Sequence, residues 1–162
     1  MDEAHRKRIS EALGRIPSGL FVLTAQHEDR RMGMLTSFVQ QVCFEPPMVS
    51  VAVAKGRPIM PLISESRRFA LCQVSDHDKL ILRKFANGVP ANEDPFLGLE
   101  LVTGQLPGLP ILARAMAYLE CELACHMDVE GDHDLFVGVV RGANCVPGVT
   151  PHVRIRENGF QY

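Results

Sequence analysis

The apolar segments of this sequence are short, and most of them are separated only by turn residues. The clearest runs from Met48 to Ala54, is rich in valine and has the length of a buried strand. It follows Glu45-Pro46-Pro47, where Pro47 keeps Pro46 out of helical angles and so predicts a turn. Further strands are predicted at residues 20–25, 32–44 with an interruption at Thr36-Ser37, 69–74, 115–129 and 134–145. This succession predicts a mainly β fold.

Helical periodicity is limited to three segments, residues 2–14, 58–65 and 75–86, the last with Ser75 as its expected N-cap. A terminal hairpin is predicted from residues 152–156 and 160–162, turning at Asn158-Gly159. A parallel α/β sheet is disfavoured, because helices do not alternate with strands and no GxGxxG fingerprint occurs. The 162 residues contain no repeat and no linker, so we expect residues 1–162 to form one β-barrel domain with a few peripheral helices.

Charge and hydropathy exclude several classes of partner. The formal net charge is −2, which offers no basic excess for binding nucleic acid. The longest apolar runs are far too short to span a bilayer, so no membrane partner is expected. The first eight residues are charged and lack the apolar stretch of a secretory signal, which predicts a cytoplasmic location.

The five cysteines are scattered and odd in number. Only Cys121 and Cys125, followed by His126, approach the spacing of a metal site. Their context alternates as a strand does, and strand positions four apart lie about 13 Å from each other, too far to share one zinc ion. We therefore interpret the cysteines as small core residues, with metal binding as a minor alternative.

The turn Lys55-Gly56-Arg57-Pro58 lies between the strongest strand and a predicted helix. Pro58 suits a first helical position, and the free N–H groups of a helix start favour a phosphate. Lys55 and Arg57 would add positive charge. The alternative is a solvated turn carrying two surface cations.

Two other segments could carry chemistry. In the segment from Gly33 to Phe38, Thr36 and Ser37 offer hydroxyls and the phenyl ring could stack on a planar ligand. Taken alone, the segment favours an ordinary strand with a polar side. His133 lies between two aspartates and could act as an acid or base, or belong to a polar hairpin turn. Neither a nucleophile motif nor a paired-carboxylate motif accompanies them.

Taken in order, these segments resemble the flavin reductase-like, FMN-binding split-barrel family. Residues 33–47, followed by Met-Val-Ser-Val-Ala-Val-Ala-Lys-Gly-Arg up to Arg57, are similar to its main signature. Residues 131–139, Gly-Asp-His-Asp-Leu-Phe-Val-Gly-Val, match a second signature. Residues 13–25 and 82–86 fit at the corresponding places, so the resemblance covers almost the whole chain.

The resemblance implies roles for individual residues and a homodimer with flavin near the subunit interface. The residues expected to line the isoalloxazine of FMN are Met34, Leu35, Thr36 and Ser37, with Phe38 against it. Lys55 and Arg57 are expected to hold the phosphate and Lys84 to approach the flavin from its helix. His133 is expected near the ring as the catalytic group, and Phe160 to help close the pocket.

The sequence also departs from the reductases of two-component monooxygenases. It has Leu35-Thr36-Ser37-Phe38 where they typically have Thr-Ala-Asn-Ser, and Gln40-Gln41 where they have a serine-rich stretch. It is closer to flavoredoxin-like proteins and to the terminal domain of diflavin flavoproteins. The leading hypothesis is an NAD(P)H:flavin oxidoreductase, in which the cofactor carries the chemistry. The alternatives are a flavoredoxin-like electron carrier with a protein partner and, from another class, a split-barrel module that binds haem.

Overall fold

The computed structural model describes all 162 residues, 1–162, and is built around one antiparallel sheet of seven strands. The strands are Phe21–His27 (β1), Arg30–Thr36 (β2), Val39–Cys43 (β3), Met48–Ala54 (β4), Arg68–Gln73 (β5), Leu101–Val102 (β6), Ile111–Leu112 (β7), Ala117–Asp128 (β8) and His133–Cys145 (β9). The helices are Glu3–Gly14 (α1), Ile59–Ser66 (α2) and Lys79–Phe85 (α3). The large sheet has the order β2-β1-β5-β8-β9-β4-β3, and β6 and β7 pair separately. The predicted mainly β architecture with few helices is confirmed.

The two edges of the large sheet are strands that follow each other in the chain. Strand β2 ends at Thr36 and β3 begins at Val39, so two residues connect opposite edges. The sheet must therefore curl until its edges meet, which produces an open, split barrel. One core fills its interior, built from β1, β2, β4, β5, β8, β9 and helix α2.

Strands β1 and β5 are buried on both faces. Leu23 and Leu71 point into the barrel core, and Val22 and Cys72 point into a second core on the outer side. That second core is formed with helix α3 and parts of the segment from residue 85 to residue 112. Because α3 packs against the outside of β1 and β2, its last turn lies beside the end of β2. None of the three helices is long and apolar enough to cross a membrane.

Helix α3 is shorter than its sequence pattern predicts. It begins at Lys79, and its N-cap is Asp78, whose carboxylate accepts the N–H of Ile81 at 3.2 Å. The same carboxylate binds Arg114 through two hydrogen bonds of 3.0 Å, which fixes the helix start. The predicted cap Ser75 instead forms an isolated β-bridge with Pro151.

The predicted terminal hairpin is wrong. The backbone of Arg154 exchanges hydrogen bonds with Ser18, at 2.8 and 3.0 Å, so the segment pairs with the chain after α1. Gly159 lies directly on α1, where a Cβ atom would stand 2.4 Å from Cβ of Leu13. Its N–H donates to the carbonyl of Ser10 at 3.0 Å. Contacts distant in sequence thus replace the local turn.

The prediction that the cysteines are core residues holds for two of them. Cys72 and Cys121 are buried, and burial raises the pKa of each thiol to about 12. Cys125 and Cys145 are exposed, so for these the prediction is wrong. The prediction for Cys125 assumed a regular strand alternation, which a register shift between Leu123 and Cys125 interrupts.

A fully buried carboxylate joins the sheet to its outer layer. Glu120 on β8 accepts the backbone N–H groups of Gln105 at 2.9 Å and Leu106 at 2.8 Å. Gly104 and Gly142 leave the space that this carboxylate fills, since a Cβ on either would lie 2.3 Å from it. The buried carboxylate therefore helps to hold the segment before β7 against the sheet.

We expect Glu120→Gln to lower the free energy of unfolding by about 1–3 kcal/mol, because an amide offers one acceptor oxygen for two buried N–H groups. Urea denaturation measures the change. The control is Glu122→Gln on the same strand, which removes only an exposed pair with Arg141 and should cost about 0–1 kcal/mol. Equal effects of the two substitutions would contradict this role of Glu120.

Candidate functional site

A well-formed cavity opens where β2 ends, beside the connection between the two edge strands. It has a volume of about 420 Å³, within the range of ligand pockets. Its wall contains Met34, Leu35, Thr36 and Ser37, four of the residues expected to line a flavin. The last turn of α3 and the residues after it close the side. The structure therefore brings the predicted strand segment to a cavity of suitable size.

One hydroxyl in this wall has no partner. Ser37 is 2% exposed, and its Oγ makes no hydrogen bond within the protein. A buried hydroxyl without a partner is uncommon in folded proteins, because it forfeits its bonds to water. Since Ser37 lines the cavity, its Oγ can donate to or accept from a polar ligand there.

Two guanidinium groups in the cavity wall are also without partners. They belong to Arg57 and Arg154. The arginines that form ion pairs with carboxylates in this structure are Arg31, Arg114 and Arg141, and neither cavity arginine is among them. Arg57 precedes α2, and Arg154 lies in the extended segment paired with Ser18. A cavity with two unpaired arginines and an apolar wall suits an anionic, planar ligand.

Lys55 is not at this cavity. Its ammonium group lies 2.7 Å from Asp128 and 3.7 Å from Asp134, and the hydrogen bond with Asp128 raises its pKa. Asp134 is also paired with His126, at 2.7 Å between Nε2 and Oδ2. These contacts tie the turn after β4 to the β8–β9 hairpin. The structure separates the two cations that the sequence groups together, leaving Arg57 free and Lys55 neutralised.

Phe38, His133 and Phe160 meet at a second cavity of about 370 Å³. The rings of Phe38 and His133 are 5.7 Å apart between centroids. His133 Nδ1 is 2.7 Å from Asp132 Oδ1, and Nε2 is hydrogen-bonded to the hydroxyl of Tyr162. The hydrogen bond to His133 lowers the pKa of Asp132. His133 is thus oriented through both ring nitrogens.

The other two residues expected to contact the flavin, Lys84 and Phe160, do not line the first cavity. Lys84 lies on α3 and donates to the carbonyl of Leu97 at 2.9 Å, and it is not part of the cavity wall, although Leu82 and Phe85 of the same helix are. Phe160 lines the second cavity beneath the guanidinium of Arg6, 4.7 Å from the ring centroid.

Sequence reasoning missed three side chains at the cavities. His152, Arg154 and Tyr162 line the first one, and Tyr162 lines both. They lie in the segment predicted as a separate hairpin, and no local sequence pattern indicates that this segment reaches the cavities. The available signal was the density of cations and aromatic rings from Arg154 to Tyr162, which a surface hairpin does not need.

Comparisons with known proteins agree with this geometry. A family model described as Flavin reductase like domain matches residues 13–157. The chain is 38% identical over 135 residues to diflavin flavoprotein A 1 of Synechocystis, a match that covers 83% of this chain and 23% of that protein. A second relative from Synechocystis, named putative diflavin flavoprotein A 3, is 35% identical, and the match covers 100% of this chain and 27% of that protein. The chain thus spans about a quarter of these curated relatives.

Solved structures show the same architecture. The NADH:FAD oxidoreductase SgcE6 of Streptomyces globisporus superposes with a TM-score of 0.84 and 26% identity, covering 95% of this chain and 90% of that one. An FMN-binding protein from Thermus thermophilus superposes with a TM-score of 0.71 and 26% identity, covering 82% and 72%. Because the family model matches most of the chain and the fold agrees, the chain belongs to the flavin reductase-like, split-barrel family.

Proposed function

We propose that the chain is an FMN-binding oxidoreductase that accepts electrons from NAD(P)H and passes them through the flavin to an acceptor. The observation that carries the proposal is the cavity at the end of β2, which combines the unpartnered Ser37 hydroxyl, an apolar wall and two unpaired arginines. The isoalloxazine of a flavin is planar, apolar on its faces and polar at its edge, and FMN ends in a phosphate. Each of these properties has a counterpart in the wall.

Arg57 and Arg154 fit the phosphate of FMN. Both line the cavity and neither is neutralised, whereas Lys55 shares its charge with Asp128 and Asp134. We propose that Arg57 binds the phosphate directly. Lys55, the other expected phosphate ligand, would act from a distance unless it leaves Asp128. Guanidinium groups suit this task because they donate two parallel hydrogen bonds to phosphate oxygens.

The ring end would lie against the β2 segment. Met34 and Leu35 would exclude water, while Thr36 and Ser37 would supply hydrogen bonds to the ring edge. Hydride uptake from a nicotinamide and delivery of electrons to an acceptor are the chemistry that a bound flavin supplies.

Phe38 and His133, at the adjoining cavity, would approach the ring from its open side. Asp132 holds Nδ1 of His133, so the imidazole can hold a proton at Nδ1 and accept one at Nε2. Lys84 on α3 and Phe160 at the second cavity are proposed to contact the flavin from these two sides.

A second candidate function is a flavoredoxin-like electron carrier that keeps its FMN and exchanges electrons with a protein partner. Its support is the similarity to diflavin flavoproteins, of which this chain matches 23–27% of the length. Electrons within such a long protein can come from elsewhere in it. In that case direct reaction with NAD(P)H is not needed.

The test of the leading proposal is an absorbance spectrum of the protein loaded with FMN, followed by NADH or NADPH without oxygen. We expect the flavin band to bleach, faster with one nucleotide than with the other. A bound flavin that neither nucleotide bleaches would contradict the proposed NAD(P)H-dependent oxidoreductase and favour the electron carrier. If the protein takes up no FMN, both functions are wrong.

We expect Arg57→Gln to weaken FMN binding by roughly 10–100-fold, the value of one charge-assisted hydrogen bond, and to leave riboflavin binding almost unchanged. Riboflavin lacks the phosphate and serves as the internal control. Quenching of flavin fluorescence measures both affinities. Lys55→Gln is the matched substitution and should weaken FMN binding less. An equal loss for FMN and riboflavin in Arg57→Gln would contradict phosphate binding by Arg57.

We also propose a homodimer, formed across the edge strand β3. One side of its backbone is open to pairing. Val42 within the strand and Phe44 just after it are 52% and 87% exposed. An apolar groove of about 380 Å³ adjoins this edge, with Val39, Pro47 and Met48 in its wall. Exposed apolar surface beside an open strand edge is typical of an interface.

Light scattering should give twice the chain mass of 17.9 kDa. Phe44→Asp should shift the protein towards one chain, because it places a charge in the interface. Val129→Asp, at an exposed site in the β8–β9 turn, should not. A monomeric parent protein, or a dimer unaffected by Phe44→Asp, would refute this interface.

A further inference from the structure

Tyr162 separates the two cavities. It lines the cavity that contains Ser37 and Arg57 and also the cavity that contains Phe38 and His133. Its ring therefore stands as a partition inside one longer cleft. Without this ring, the surfaces that we assign to the flavin and the aromatic surface beside them would be continuous.

Two rings and one hydrogen bond hold the partition in place. The ring centroid of Tyr162 lies 5.5 Å from that of Phe38 and 5.8 Å from that of His133. A tyrosine hydroxyl is protonated at neutral pH, and partial burial raises the pKa of Tyr162 further, so this hydroxyl donates to Nε2 of His133. Nδ1 of His133 then carries the proton that is donated to Asp132. These are contacts that another planar ring could make.

The partition can move without unfolding the domain. The chain is anchored at Gly159, whose N–H donates to the carbonyl and the hydroxyl of Ser10 at 3.0 and 3.1 Å. Beyond this anchor, the N–H groups of Phe160 and Gln161 donate to Asn158, at 2.8 and 3.4 Å, and the carbonyl of Gln161 accepts from Arg156 at 3.2 Å. The backbone of Tyr162 itself makes none of these bonds. Tyr162 is 53% exposed, so no core packing would be lost if its ring left the cleft.

We propose that Tyr162 is the residue that controls access of the nicotinamide to the flavin. Its ring occupies the stacking position beside Phe38 and His133, and it must leave before the ring of NAD(P)H can enter. The inference rests on the proposed function and adds a residue that controls how readily NAD(P)H reaches the bound flavin. The apparent affinity for the nucleotide is reduced by the fraction of molecules in which the ring is away.

The charges around the second cavity fit an anionic donor. Arg156 lies over the ring of Phe38, 5.0 Å from its centroid, and Arg6 lies over the ring of Phe160. Both arginines line this cavity, together with the exposed carboxylate of Asp132. Two cations against one anion favour the pyrophosphate of a dinucleotide over an uncharged hydride donor.

The experiment compares the FMN-loaded parent protein with Tyr162→Ala and Tyr162→Phe. Anaerobic mixing with a series of NADH concentrations gives the apparent affinity and the rate of flavin reduction. We expect Tyr162→Ala to tighten apparent NADH binding by roughly tenfold, as expected when a mostly closed state is removed. Tyr162→Phe keeps the ring but removes the hydrogen bond to His133. Its apparent affinity for NADH should therefore lie between those of the parent protein and Tyr162→Ala. Tyr118→Phe, outside both cavities, should match the parent.

FMN affinity is measured for each variant, so that two failures stay distinct. If the parent protein binds no FMN, the proposed function fails. If FMN binds and Tyr162→Ala reacts with NADH no more readily than the parent, the proposal for Tyr162 fails.

A second measurement follows the ring itself. The chain has two tyrosines, so labelling with 3-fluorotyrosine gives two ¹⁹F resonances, and Tyr118→Phe identifies that of Tyr162. A tetrahydro analogue of NADH, which cannot donate hydride, is added to the FMN-loaded protein. We expect the Tyr162 resonance to shift as the ring leaves Phe38. A resonance that stays unchanged at saturating analogue would overturn the proposal.

Discussion

The closure of the sheet across Ser37 and Phe38 determines where this protein can bind a ligand. Because β2 and β3 are opposite edges of the sheet and only two residues apart, the chain itself holds the edges together. The carbonyl of Phe38 accepts the N–H of Ala52 at 3.0 Å, which attaches the connection to β4. No ladder closes the seam completely, so side chains line a cleft there. Ser37, whose hydroxyl has no partner, lies in this connection between the two edge strands.

Much of this arrangement was predictable from sequence, because it follows from local constraints. The strand Met48–Ala54 was predicted with its observed bounds, since a valine-rich run after two prolines has little freedom. The break between β2 and β3 was predicted from Thr36-Ser37 because small polar residues interrupt an apolar alternation. What was missed depends on partners distant in sequence. Arg114 determines where α3 begins, and α1 determines the path of the chain around Gly159.

In the candidate site, too, local features were predictable from the sequence and contacts between distant residues were not. The sequence grouped residues 34–37 in one segment, which the fold places at the end of β2, but it could not distinguish Lys55 from Arg57. Two cations on either side of a glycine look equivalent until their neighbours are known. In the fold, Lys55 faces the carboxylates of the β8–β9 hairpin and Arg57 faces the cavity. The difference arises from strand pairing, because Ala54 lies opposite His133 and brings Lys55 beside that hairpin.

That pairing makes Lys55 a link between the two parts of the site. Its N–H donates to the carbonyl of Asp132 at 2.9 Å, and its ammonium group pairs with Asp128. The residues around it, Asp132 and Asp134, flank His133 in the chain. A single turn thus connects the loop that carries Arg57 to the hairpin that carries His133. In the fold, Lys55 holds the turn that carries Arg57 against the hairpin that carries His133.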